Sequence, residues 1–255
     1  MKAIFVDAGH GMKNGIDNGA SGGGTDERTQ VLEIAQDVIG IMHKMAIFGL
    51  IGIYDIGIIK RLSLQQKIDE INAIIVRDGI AKDDALVISI HANAGGGTGV
   101  ETWYDNGKAS TLATAIVNAL AASTGLANRG AKPDDQNRHG SLGIVQNTNA
   151  DHTCLAECGF IDSDDVKLLK DPEKDDLFAV GIVKGICEFL SLQYDPKTFD
   201  SPFEDVSYDR WSAPAIRWCK EQGILRGYGE GKLFMPNRPM TREEVAITLY
   251  RALKK

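Results

Sequence analysis

Along the first 190 residues, short apolar runs of strand length alternate with segments of helical period, and this alternation confines the chain to an α/β fold with a mostly parallel sheet. The strand-like runs are Lys2-Ala-Ile-Phe-Val6, Leu50 to Ile56, Ala85-Leu-Val-Ile-Ser-Ile90, Gly99 to Tyr104 and Thr153 to Cys158. Between them, Val31, Ala35, Val38, Met42 and Ala46 recur at three- and four-residue spacing, which predicts a helix over 28–47. Further helices are expected over Gln65 to Arg77 and Ser110 to Ser123, with a last one capped by Asp171-Pro172 and running through Leu190. In such sheets ligands gather at the carboxyl ends of the strands, and three of those ends carry His10, His91 and Glu157.

Beyond Leu190 the periodicity stops. Residues 1–192 therefore read as one large domain, 193–201 as a linker and 202–255 as a small, mainly helical module. In the module Ser212 is expected to cap a helix that ends at Gly223, Gly227-Tyr-Gly-Glu-Gly231 to form a loop, and Thr241-Arg-Glu-Glu244 to be the capping box of a helix through Leu253. Charge divides along the same line. The module holds ten Lys and Arg against seven Asp and Glu, net +3, so the net −7 of the 255 residues leaves net −10 on residues 1–201. An acidic large domain argues against a nucleic-acid partner.

Other classes are excluded by length. The longest apolar stretch, Met45 to Tyr54, falls far short of the ~20 residues that cross a bilayer. The amino terminus reaches Asp7 before an apolar region of the ~7–15 residues of a signal peptide can form, so synthesis in the cytoplasm without a membrane anchor is expected. Cys154, Cys158, Cys187 and Cys219 are too scattered for a structural zinc site and read as reduced thiols.

The chain has five histidines. Two of them, His10 and His91, sit at strand ends among small residues, and Glu27 heads the first helix. Two imidazoles and one carboxylate form the ligand set of a catalytic zinc with a fourth position for water, which leaves Glu157 to act on that water. Taken singly, none of the four carries a metal assignment. A strand-end histidine is commonly a hydrogen-bonded structural residue, Glu27 alone is a favourable first-turn acid, and Glu157 alone fits a surface ion pair. His43, His139 and His152 read as solvated.

Taken together, Val6-Asp-Ala-Gly-His-Gly11, Glu27, Ser89-Ile-His-Ala-Asn-Ala94 and Glu157-Cys-Gly-Phe-Ile-Asp162 resemble, in order and spacing, the zinc-dependent N-acetylmuramoyl-L-alanine amidases of the amidase-3 family. The resemblance covers about residues 1–190. It implies that His10, Glu27 and His91 bind one Zn2+, that Glu157 is catalytic, and that Asn93 lines the substrate site. Arg129-Gly-Ala-Lys132 resembles the family's Arg-Gly-x-Lys segment. Asp7-Ala8 stands where Asp-Pro is common and Lys60-Arg61 where threonine-arginine is usual, and neither departure touches a ligand position. A zinc carboxypeptidase would place a glutamate three residues after its first histidine, where this chain has Lys13.

Phe203-Glu-Asp-Val206, Trp211-Ser-Ala-Pro-Ala-Ile216, Gly223-Ile, Gly227 to Gly231 and Thr241 to Glu244 resemble one S-layer homology repeat, a family that binds anionic secondary cell-wall polymers. The resemblance makes Arg242 the candidate polymer-binding residue and leaves Trp211 for the module's core. Such repeats commonly act in threes, so a homo-oligomer is one source of the missing copies. The two resemblances imply a peptidoglycan hydrolase. With no export signal read, they imply a phage or prophage endolysin released through a holin lesion; an exported autolysin and a non-catalytic wall-binding protein are the competing readings.

Overall fold

The computed structural model of the chain describes residues 2–44, 51–105, 107, 109–137, 140–171, 174, 176–194, 203–206 and 213–254. Two compact units form, Met1–Ile41 with Gly49–Tyr194 and Met42–Phe48 with Asp195–Lys255.

The first unit begins with β1 (Lys2–Ala8), followed by two small ladders, β2 (Gly11–Met12) with β3 (Ile16–Asp17) and β4 (Ser21–Gly22) with β5 (Thr25–Asp26). Next come α1 (Glu27–Lys44), β6 (Ile51–Ile56), α2 (Leu64–Arg77), β7 (Ala85–Asn93), β8 (Val100–Tyr104) and α3 (Ser110–Thr124). The chain then adds β9 (Asn128–Pro133), α4 (Gly143–Asn147), β10 (His152–Phe160), α5 (Val166–Leu169) and α6 (Asp176–Phe189). The six long strands make one sheet in the order β6-β1-β7-β10-β8-β9. β6, β1, β7 and β10 run parallel, β8 is antiparallel to β10, and β9 is parallel to β8. The expected α/β architecture, a mostly parallel sheet flanked by helices, is thus what forms.

Burial on both faces explains the continuous apolar strands. Ala3 and Phe5 of β1 and Val87 of β7 join Ile68, Ile71 and Ile75 of α2 and Ile144 of α4 in one core on one face. Fully buried side chains such as Phe5 each contribute about 1.5–3 kcal/mol relative to exposure. Elsewhere α3 packs on α6 so closely that a Cβ at Gly185 would lie 2.5 Å from the Ile116 Cα.

Several boundaries differ from the sequence expectation. β7 continues through His91 to Asn93 and β10 through Glu157 to Phe160, so both residues lie within the last turns of pairing rather than after the strands. β9 is a strand that none of the apolar runs in the sequence marks. It is an edge strand, half exposed and rich in cations, and so lacks the apolar alternation that marks its neighbours. The short helix α5 precedes α6, which begins at Asp176, while Pro172 of the expected cap lies outside the described residues. His43 and His152 are partly buried rather than solvated; the His152 ring packs edge-on against Phe189 at 4.9 Å, and His139 lies outside the described residues. Cys154, Cys158 and Cys187 are buried free thiols, and burial raises each of their pKa values.

In the second unit, α7 (Ala213–Glu221) and α8 (Arg242–Leu253) flank a turn closed by the Tyr228–Leu233 bridge. Its core joins Phe203, Val206 and Ile216 with Phe234, whose ring stacks on Phe203 at 5.3 Å. Thr241 and Glu244 form the reciprocal capping box, as their spacing predicts. Ser212 and Trp211 lie outside the described residues. No described helix is long and apolar enough to cross a membrane.

Candidate metal centre

His10 follows the end of β1 in a left-handed backbone conformation, φ 61°. A non-glycine residue held there is strained, and such strain concentrates where geometry serves function. Glu27 opens α1 and is buried, and His91 projects from the end of the adjacent strand β7. His10 Nε2 lies 2.9 Å from Glu27 Oε2 and His91 Nδ1 lies 3.0 Å from Glu27 Oε1. One ligand atom from each of the three falls within 4.8 Å of the others, the one such grouping among the described residues.

His10 and Glu27 are each held from behind. His10 Nδ1 lies 3.1 Å from Asp17 Oδ2, a carboxylate–histidine contact that fixes ring orientation. The backbone N–H groups of Ala20 and Ala92 donate to the two Glu27 oxygens at 3.1 Å. Burial opposes ionisation of Glu27, but hydrogen bonds from His10 and His91 and their charges outweigh it, so the carboxyl sits well below its usual 4.5. Burial likewise lowers the His10 pKa, and Glu27 and Asp17 together reverse that, leaving it raised. A side chain at Gly19, φ +69°, would place Cβ 2.5 Å from Glu27 Oε2 and 2.6 Å from His10 Nε2. Only glycine leaves this wall of the centre clear.

The donor chemistry and these supports fit a small divalent cation of borderline softness, and two imidazoles with one carboxylate suit zinc. Around the trio opens a cleft of about 570 Å³ lined also by Asn93, Glu101, Trp103, Arg129, Lys132, Glu157 and Phe160. Glu157 on β10 is in register with His91 on one side and Glu101 on the other, so the three face one another across adjacent strands. The structure thus brings together His10, Glu27, His91, Asn93 and Glu157. Arg242 belongs to the second unit, exposed at the first position of α8.

Glu101 and Asp17 escape a reading of the sequence alone. Glu101 is buried, and it accepts hydrogen bonds from Asn93 Nδ2 at 2.8 Å, Arg129 Nε at 2.8 Å and Lys132 Nζ at 2.7 Å. A carboxylate inside the apolar strand Val100-Glu-Thr-Trp-Tyr104 is the signal that could have exposed it, since buried acids require partners. Asp17 ends the two-residue strand β3, and nothing in its sequence spacing distinguishes it. Asn93 lines the cleft while donating to Glu101, and its Oδ1 accepts from Ala94 N at 2.8 Å.

Comparison with known proteins follows the two units. Residues 4–188 match the N-acetylmuramoyl-L-alanine amidase family, and residues 202–246 match the S-layer homology domain. A sporulation-specific N-acetylmuramoyl-L-alanine amidase of Bacillus subtilis (strain 168) is 31% identical over 199 residues, covering 76% of this chain and 70% of that protein. A cellulosome-anchoring protein of Acetivibrio thermocellus is 40% identical over 53 residues, which span 21% of this chain and only 12% of that protein. The solved catalytic domain of CwlV, an N-acetylmuramoyl-L-alanine amidase from Bacillus (Paenibacillus) polymyxa var. colistinus, superposes with a TM-score of 0.60 at 24% identity, covering 76% of this chain and 100% of the other, and is similar in fold.

Proposed function

The chain belongs to the N-acetylmuramoyl-L-alanine amidase family, and from that premise we propose how its residues divide the work. The activity is hydrolysis of the amide that joins N-acetylmuramic acid to the L-alanine of the peptidoglycan stem. One observation carries the assignment of roles: His10, Glu27, His91 and Glu157 converge on one cleft at the carboxyl ends of adjacent strands. His10, Glu27 and His91 would hold Zn2+, which when bound would supply Lewis-acid activation of a water and polarisation of the scissile carbonyl.

Glu157 accepts the proton of the attacking water at its carboxylate. The same carboxyl then delivers that proton to the departing alanine nitrogen, so the general base of the first half becomes the general acid of the second. Its place on β10, outside the trio of His10, Glu27 and His91, supports this split, because a proton transfer at its carboxylate breaks no metal contact. Asn93 lies against the substrate wall and positions Glu101. Residues 1–192 are the catalytic domain and 202–255, after the linker 193–201, the cell-wall module. The module's net +3 and the exposed Arg242 support an anionic wall polymer as its partner, since the planar guanidinium suits carboxylate and phosphate groups.

Glu157→Ala should keep its zinc and lose lysis of purified walls, whereas His10→Ala should lose both. Metal analysis beside a turbidity assay reads the two outcomes, and a zinc-loaded Glu157→Ala protein of full activity would remove the assignment.

A further inference from the structure

The cleft has a second group of charges that the chemistry above does not use. Glu101 binds Arg129 and Lys132 at 2.8 and 2.7 Å, so one buried anion holds two cations that remain partly exposed, 39% and 29% at their side chains. Burial opposes ionisation of Glu101, but the hydrogen bonds from Lys132 and Arg129 prevail and keep it charged. The group therefore carries net +1. Each cation also lies over an aromatic ring of the same wall, Arg129 over Phe160 at 5.0 Å and Lys132 over Trp103 at 5.1 Å. Such backing restricts both side chains and leaves their unused N–H groups for a ligand.

The direction of the substrate follows from the reaction. Glu157 must reach the departing alanine nitrogen, so the peptide runs out on the side of the metal where Glu157 stands. That is the cleft of Arg129 and Lys132; a second cavity, lined by Met12, Lys13 and Leu64 and sharing only His10 and His91 with the first, does not include Glu157. Distances agree. His91, Glu157 and Glu101 are in register on successive strands about 4.8 Å apart, which puts Glu101 roughly 10 Å from His91. The α-carboxyl of the second stem residue lies about 7 Å from the scissile nitrogen when the peptide is extended, at about 3.3–3.6 Å per residue. The reach of the two long side chains closes the remainder.

Resting on the amidase reading, we propose that Arg129 and Lys132 form a specificity subsite for a free α-carboxylate on the second residue of the stem peptide. Stems with glutamate at that position are the preferred substrates, and stems in which its α-carboxyl is amidated are the poorer ones. An amide presents no charge to the pair and brings an N–H group against N–H donors, so charge-assisted bonds are lost.

The test compares two synthetic muramyl peptides on the zinc-loaded full chain, identical except for a free or an amidated α-carboxyl on residue two. The wild type should show kcat/KM at least about tenfold higher for the free carboxylate, in the range charge-assisted hydrogen bonds give. In Arg129→Gln and Lys132→Met that ratio should fall toward one. A wild-type ratio near one overturns the proposal without the variants, and an unchanged ratio in folded, metal-loaded variants overturns it as well. Failure to cut either peptide overturns the amidase reading itself, a separate outcome.

Discussion

Asp17 illustrates how much of the proposed metal centre lies behind the three side chains that would face an ion. Its carboxylate sits 3.1 Å from His10 Nδ1 and also accepts a hydrogen bond from Gly19 N at 3.0 Å, tying the histidine's ring to the glycine that clears the site. Asp17→Ala should therefore weaken zinc binding by about 10–100-fold while the fold persists, as a competition titration against a chelator would measure. Glu101 makes a different prediction. Its pKa is held below the usual 4.5, so its contribution to stability is complete above that value and is lost as pH falls through the depressed folded value. Glu101→Gln should cost about 1–3 kcal/mol at pH 7, and the gap to wild type in urea unfolding should narrow at pH 4 and below. At this scale the sequence was legible where a residue type is rare and well placed. Histidines at strand ends stand out among five in the chain, whereas Asp17 is one acid among 35 and shows its role only when the loop folds back.

Among the elements, α2 does more than cover the sheet. Ser63 caps it with Gln66 in a reciprocal box, and Lys67 on its buried face reaches Asp7 at 2.8 Å and the carbonyl of Ala8 at 2.5 Å. Ser89 Oγ also donates to Asp7 at 2.6 Å, so β1, β7 and α2 are tied together immediately before His10. Lys67→Ala would strand Asp7 as a buried, less compensated charge and should destabilise the protein by about 3–5 kcal/mol. Adding Asp7→Asn should recover part of that loss; chemical denaturation of the single and double variants measures both. The apolar strands and amphipathic helices were readable because each has a face to bury. β9 was not, because an edge strand carrying Arg129 and Lys132 into a cleft obeys electrostatics and not the two-residue alternation. The same Ser-x-x-Gln signature that marks the start of α2 was present at 63–66, yet it lacks the strong acid that made Thr241 to Glu244 conspicuous.

For the whole molecule, the division of charge between a net −10 segment, 1–201, and a net +3 segment, 202–255, follows the two family matches, 4–188 and 202–246, and apart from residues 42–48 and 195–201 also the division into two compact units. The α/β sheet collects polar residues at one set of strand ends, where the hydrolytic site is proposed, and the small helical module, with an exposed cation at the start of α8, is the unit proposed for attachment to the wall. What the alternating pattern could not convey is which strands lie side by side. The order β6-β1-β7-β10-β8-β9 sets Glu157 between His91 and Glu101, and long-range pairing of this kind leaves no local trace in the chain. The bond proposed for Glu157 and the trio of His10, Glu27 and His91 is the muramyl–alanine amide. Mass spectrometry of purified peptidoglycan digested by the zinc-loaded protein tests it most directly. New free L-alanine amino termini, present with the wild type and absent with Glu157→Ala, are the predicted result; new reducing sugar ends or cuts within the stem peptide, with the muramyl–alanine bond intact, would contradict it.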